Sequence, residues 1–275
     1  MAEKKNFGFK YLLICSFTTI LLIPFSFSLA QSPYSLDGGR EVAVFGGGVA
    51  LGVIDLKLIG GKVPVNDETL PNLSGNDVNW FDRGATYNLS ETSADLSNVL
   101  LATAIASPLF LFGSSAVRNN AGTYSTMYLQ NILSVYSISH LPKALVKRYR
   151  PYVYNEEVPN EEKQSLDATH SFLSAHTAVG FASAVFLSVT FDNYNPNSNL
   201  SPYIWTSSLL LATSIGYLRY AAGQHFPTDI IAGAVLGSVI GYLIPLIHES
   251  NKENLELVAP AGNPNNNLVS FNIKF

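Results

Sequence analysis

Apolar residues gather in five stretches of helical length, 95–114, 123–149, 171–191, 203–222 and 227–247, separated by polar blocks that interrupt helices. Residues 118–122 and 192–202 are rich in Asn, Gly, Pro and Ser, 153–170 is an acidic loop, and 223–226 is long enough only to reverse the chain. In the last stretch Gly233, Gly237 and Gly241 recur every fourth residue. That spacing leaves one helical face bare, so a neighbouring backbone can approach it closely. Upstream, 41–59 is apolar and contains Gly46, Gly47 and Gly48, but it also carries Asp55 and Lys57, which are costly in lipid. It predicts a helix packed on protein. Residues 62–89 predict a polar loop with one short amphipathic helix at Trp80-Phe81-Asp82-Arg83.

Short connections between apolar helices give antiparallel neighbours. The expected fold is all-α: an antiparallel helical bundle of about six helices, membrane-associated, with a short C-terminal β-hairpin or extended tail. The divisions are a signal peptide or uncleaved anchor at 1–30, an N-terminal helix and polar loop of the same bundle at 31–94, a core at 95–250 and the tail at 251–275. Composition brings in the membrane. Of 275 residues 47% are apolar and 13% charged, and the mean hydropathy of +0.19 lies above that of an ordinary soluble enzyme. A net charge of -4 argues against a nucleic-acid partner, which needs a surplus of Lys and Arg. Lys4, Lys5 and Lys10 precede an apolar run at 11–25, and Ser28-Leu29-Ala30 forms a small-x-small cleavage site, the pattern of an export signal. The single cysteine, Cys15, falls inside that leader, so the remainder can form neither disulfides nor thiolate metal sites.

Three clusters carry candidate chemistry. Lys143, Lys147 and Arg150 stand at i, i+4 and i+7, a stripe of cations on one helical face closed by Pro151. Ser174 and His176 open the third apolar helix, where unpaired backbone amides and a hydroxyl make a cradle for an anion. Arg219, His225 and Asp229 span a helix end, a tight turn and the next helix start, and the carboxylate there can orient one imidazole nitrogen while the other stays free to attack. Each cluster alone has a plain structural counterpart: cations complementing a helix dipole, a serine cap, and a carboxylate capping a helix.

Taken in series, Lys143-x6-Arg150-Pro151, Ser174-x-His176 and Arg219-x5-His225-x3-Asp229 resemble the type 2 phosphatidic acid phosphatase and vanadium haloperoxidase superfamily, whose pattern is K-x6-R-P, P-S-G-H and S-R-x5-H-x3-D. Leu173, Ala175 and Leu218 depart from it, standing where the family has Pro, Gly and Ser. Ala175 keeps its amide but adds a methyl that would crowd the cradle if its φ were positive. The resemblance implies that Lys143, Arg150, Ser174, the Ala175 amide and Arg219 hold phosphoryl oxygens. It further implies that His225 attacks phosphorus, that His176 protonates the leaving oxygen and then activates water, and that Asp229 fixes the His225 tautomer. Neither a metal nor another cofactor is implied. Lys147 and Arg148 read either as attractors of anionic headgroups or as a solvated face.

By the same resemblance the chain is a hydrolase of phosphate monoesters or pyrophosphates, with phosphorylated lipid as the expected substrate and the membrane as its partner. If the leader enters the export path and 41–59 does not cross, five helices put the site on the periplasmic side of the cell envelope; a crossing at 41–59 would reverse the parity. Two other functions fit the same residues: a vanadium-dependent haloperoxidase, because vanadate mimics phosphate, and a decayed binder of lipid phosphates. Retention of both His176 and His225 speaks against the binder, since binding needs cations but not two imidazoles.

Overall fold

The computed structural model describes residues 32–59 and 73–250. The expected signal segment, residues 60–72 of the polar loop and the C-terminal hairpin or tail lie outside these. The described chain forms α1 (Gly38–Ile59), α2 (Glu91–Ala106), α3 (Ser115–Asn119), α4 (Ala121–Leu145), α5 (Asn160–Lys163), α6 (Ala175–Tyr194), α7 (Ser201–Ala221) and α8 (Pro227–His248). Short 3-10 turns punctuate the connections, among them Arg83–Tyr87, Pro151–Tyr154 and Leu166–Thr169. The helix starts have local causes. Ser90 Oγ accepts the Ser93 amide at 3.2 Å, and Ser174 Oγ accepts the Thr177 amide at 3.4 Å. Pro227 opens α8 with its φ already suited to a first turn.

Helix α6 is the axis. Its small residues Ala178, Gly180, Ala182, Ser183 and Ala184 are buried and let α2, α4, α7 and α8 pack around it. Phe186 meets Tyr124 and Tyr128 of α4, with ring centroids 5.5 and 5.1 Å apart, and Ser188 Oγ lies 2.9 Å from Ser208 Oγ of α7. The closest approach is to α8. A Cβ on Gly233 would stand 2.5 Å from the Ser174 carbonyl oxygen and one on Gly241 2.6 Å from that of Ala182, with Gly237 closer still to Ala178. The four-residue spacing of glycines in α8 thus meets the carbonyls of Ser174, Ala178 and Ala182 at the same spacing along α6 and its cap, the close packing that the glycine spacing predicts.

The opposite side of α8 carries Ile231, Val235, Val239, Tyr242 and Leu243, all exposed. Glycine inward and branched aliphatics outward invert the pattern of a helix in water. Together with α2 and its continuation (Glu91–Gly113), α6 and α8 are long and apolar enough to cross a membrane, with mean hydropathies of 1.7, 1.2 and 2.3. The protein is a membrane-associated all-α bundle. Helix α1 lies along α4, as the segment 41–59 predicts, with Gly48 against Leu133 and Asp55 buried.

One expectation is overturned. Helix α4 stops at Leu145 instead of reaching 149, so Lys143, Lys147 and Arg150 do not form a helical stripe. Pro151 holds Arg150 in extended backbone, with φ -72° and ψ 154°. Residues 148–150 instead pair with 168–171: the Arg150 amide donates to the Ala168 carbonyl at 2.8 Å and the Ser171 amide to the Arg148 carbonyl at 3.1 Å. Lys143 and Arg150 turn into the protein, while Lys147 stays exposed over the Tyr149 ring.

Because the Gly237 face has no room for a methyl, Gly237→Ala should destabilise the bundle by about 1–3 kcal/mol. Gly46→Ala, with nothing within 4 Å of the added carbon, should be neutral or stabilising by up to about 1 kcal/mol. Thermal unfolding in one detergent compares the two directly.

Candidate active site

The three sequence clusters meet at one end of the bundle. Lys143 ends α4, Arg150 follows it, Ser174 and His176 open α6, Arg219 ends α7, and Asp229 opens α8. His225 sits in the five-residue turn between the last two helices. Gly223 makes that turn possible with φ 68°, and its bare α-carbon faces the Asn88 carbonyl too closely for any side chain.

His225 is 1% exposed. Its Nδ1 lies 2.9 Å from the Ser171 carbonyl oxygen. An acceptor there requires the proton on Nδ1, which leaves the lone pair on Nε2. Nε2 lies 3.5 Å from Arg150 Nη1. Burial, followed by the charges of Arg150, Lys143 and Arg219, holds the His225 pKa well below the ordinary histidine value, so the ring is neutral.

The cations are arranged around that nitrogen. Arg150 is anchored by Nε to the Asp167 carbonyl at 3.0 Å and by Nη2 to the Asp167 carboxylate at 2.7 Å. Gln224 Oε1 accepts from Arg150 Nη1 at 2.8 Å and from Arg219 Nη2 at 3.2 Å, so one neutral oxygen bridges the two guanidinium groups. Arg219 reaches Ser97 Oγ of α2 at 3.4 Å, while its buried Nε finds no acceptor among the described residues. A buried donor without an acceptor is costly, and a phosphoryl oxygen entering beside Gln224 would satisfy it. Lys143 is buried and acts electrostatically on His225 along with both arginines.

Asp229 works one step behind His225. Its Oδ2 stands 3.7 Å from His225 Nδ1, beyond hydrogen-bond length. That oxygen instead accepts from Ser171 Oγ at 2.6 Å and from the Phe226 amide at 3.0 Å. The carboxylate therefore fixes Ser171, and the carbonyl of Ser171 fixes the ring. Arg148 pairs with the other Asp229 oxygen, donates to Thr228 Oγ1 at 2.9 Å and reaches Asp82 at 2.7 Å, with its guanidinium 4.4 Å over the Phe226 ring. Arg148 is thus neither a headgroup attractor nor a solvated face. Asp82, fully buried, also accepts the Thr228 amide at 3.0 Å. Burial would raise its pKa, but donors from Asn79, Thr228 and Arg148 outweigh that and lower it.

Ser174 and Ala175 occupy the cap and first position of α6. The Ser174 hydroxyl serves the helix, contacting Thr177 Oγ1 at 2.9 Å besides the Thr177 amide. Gly223 alone has a positive φ among the described residues, so the Ala175 methyl brings no backbone strain. Its amide lies where a helix supplies no internal partner. His176 Nε2 lies 2.9 Å from Asn98 Oδ1 of α2.

Residues 124–253 match the family model of the PAP2 superfamily, and that span includes all three clusters. Among solved structures, the chain is similar to a transmembrane PAP2 type phosphatidylglycerolphosphate phosphatase from Bacillus subtilis, at 17% identity and a TM-score of 0.43 over 73% of this chain and 94% of that one. No curated protein matches it. The PAP2 match excludes Asp82, Ser97 and Asn98, which the structure nevertheless brings to the site from α2 and the preceding loop. Sequence spacing gave no signal for these three, for Gln224 or for the Ser171 carbonyl, because each acts through a contact between elements.

Removing Arg148 leaves two buried carboxylates unpaired, so Arg148→Met should lower stability by about 3 kcal/mol. Adding Asp229→Asn should recover part of that in denaturant titration. A second prediction concerns pH. Below about pH 6.5 the unfolded His225 takes a proton that the native ring refuses, so stability falls as pH drops from about 7 to 5. That slope should flatten by about 1.4 kcal/mol per pH unit in His225→Gln.

Proposed function

We propose that this protein is a metal-independent phosphatase that hydrolyses phosphate monoesters or pyrophosphates of lipids through a phosphohistidine at His225. The observation that carries the reading is the His225 Nε2 lone pair 3.5 Å from Arg150 Nη1, with Arg150 joined through Gln224 to Arg219, whose buried Nε lacks an acceptor among the described residues. Lys143, Arg150 and Arg219 would hold the phosphoryl oxygens with the Ala175 amide, and Ser174 would do so by releasing its cap. Positive groups fixed in a buried site stabilise the charge that spreads over those oxygens in the transition state.

In the first step Nε2 of His225 forms a bond to phosphorus as the ester P–O bond breaks, and His176 gives its proton to the departing oxygen. In the second, water attacks phosphorus, its proton passes to His176, and the P–N bond breaks to release phosphate and the neutral ring. Asp229 supports the Nδ1–H tautomer through Ser171. A lipid substrate is favoured by the apolar outward faces of α2 and α8, and the export pattern at 1–30 favours a site on the periplasmic side.

Phosphate release should be measured on a panel of lipid phosphates in mixed micelles with chelator present. Wild type should retain activity, and His225→Ala should lose about 10^3-fold or more. With an aryl phosphate, whose leaving group departs without protonation, an acid-labile phosphoenzyme should accumulate in His176→Ala and be absent from His225→Ala. Activity abolished by the chelator, activity indifferent to His225, or vanadate-dependent halide oxidation without phosphate release would each refute the proposal.

A further inference from the structure

We propose that Asn98 of α2 is the positioning residue for His176, fixing its proton on Nε2 so that Nδ1 exchanges a proton with the leaving oxygen and with water. This rests on the catalytic reading of His176 given above. The side-chain oxygen of Asn98 lies 2.9 Å from His176 Nε2, and an amide oxygen can only accept. The neutral ring therefore carries its proton on Nε2 and its lone pair on Nδ1. When Nδ1 also gains a proton, the same oxygen faces the imidazolium and stabilises it. Asn98 thus plays for the second imidazole the part that the Ser171 carbonyl plays for the first.

The position in the fold supports this role. Asn98 follows Ser97, whose hydroxyl accepts from Arg219 Nη1 at 3.4 Å, so consecutive residues of α2 address both His176 and a phosphate-holding cation. The charged groups acting on His176 from the surrounding elements are Arg219 of α7, Lys143 of α4, and Arg150 and Asp167 of the α4–α6 connection, with His225 beyond them. Three of these are cations. An acceptor of zero charge orients the ring without cancelling the positive field that the phosphoryl group needs, whereas a carboxylate at 98 would pair with it.

The test compares Asn98→Ala and Asn98→Asp with wild type in pH–rate profiles, following the limb that disappears in His176→Ala. Asn98→Ala should lower kcat about 10-fold with KM within about twofold, and move that limb to lower pH. Asn98→Asp should move it to higher pH by about one unit or more, since a nearby carboxylate favours the imidazolium. A part confined to packing would shift neither limb, and shifts of one sign in both variants, or none, would overturn the proposal. The tautomer can also be read without turnover, from 15N chemical shifts of histidine-labelled protein with the resonance assigned by His176→Gln. Wild type should show the proton on Nε2, and a proton on Nδ1 would sink the proposal whatever the activity. If no ester is hydrolysed by wild type while Nε2 is protonated, the functional reading fails and the positioning by Asn98 stands.

Discussion

The contact between the bare face of α8 and the carbonyls of α6 determines where everything else can be. The loop that holds His225 ends at Phe226, one residue before α8, while Ser171 and His176 flank the start of α6. Only the depth at which the two helices interlock sets the distance between these groups. At the site end the register is locked by a hydrogen bond from the Ser174 amide to the Asp229 carbonyl at 3.1 Å. A slide of one residue would carry the imidazole away from its acceptor and away from the guanidinium groups together.

Electrostatics impose the next constraint. Two guanidinium groups and an ammonium are withdrawn from water beside a neutral imidazole, and like charges in a medium of low polarisability repel strongly. The structure relieves this with short-range acceptors instead of full neutralisation. Asp167 pairs with Arg150 on the outer side, and Gln224 lies between the two arginines. Carboxylates that would extinguish the field are kept one layer back, where Asp82 and Asp229 are occupied by Arg148. The separation explains how acidic and basic residues coexist in one small volume while the inner surface remains positive.

Much of this was legible in the chain and some was not, for physical reasons. Apolar runs gave the long helices, and the glycine repeat gave the tightest interface, because both depend on local periodicity. Motif spacing brought Lys143, Arg150, Arg219, His225 and Asp229 together. The cation stripe failed because Pro151 forces Arg150 out of helical backbone, an effect that outweighs the favourable spacing of 143, 147 and 150. Reading Asp229 as the direct partner of the ring failed because the backbone carbonyl of Ser171, which has no sequence signature, stands nearer. Asn98 and Gln224 are polar residues with no local pattern around them; their importance comes from what lies across the gap.

The turn from Arg219 to Pro227 is held at several points. The Gln224 and His225 amides donate to the Arg219 carbonyl at 3.0 and 3.3 Å, and the Tyr152 amide donates to the Gly223 carbonyl at 2.9 Å. A side chain on so short and so restrained a segment has little freedom left to surrender when a reaction begins. Under the proposed mechanism the entropy of aiming that atom is lost once, as the polypeptide folds, and does not recur with each molecule processed.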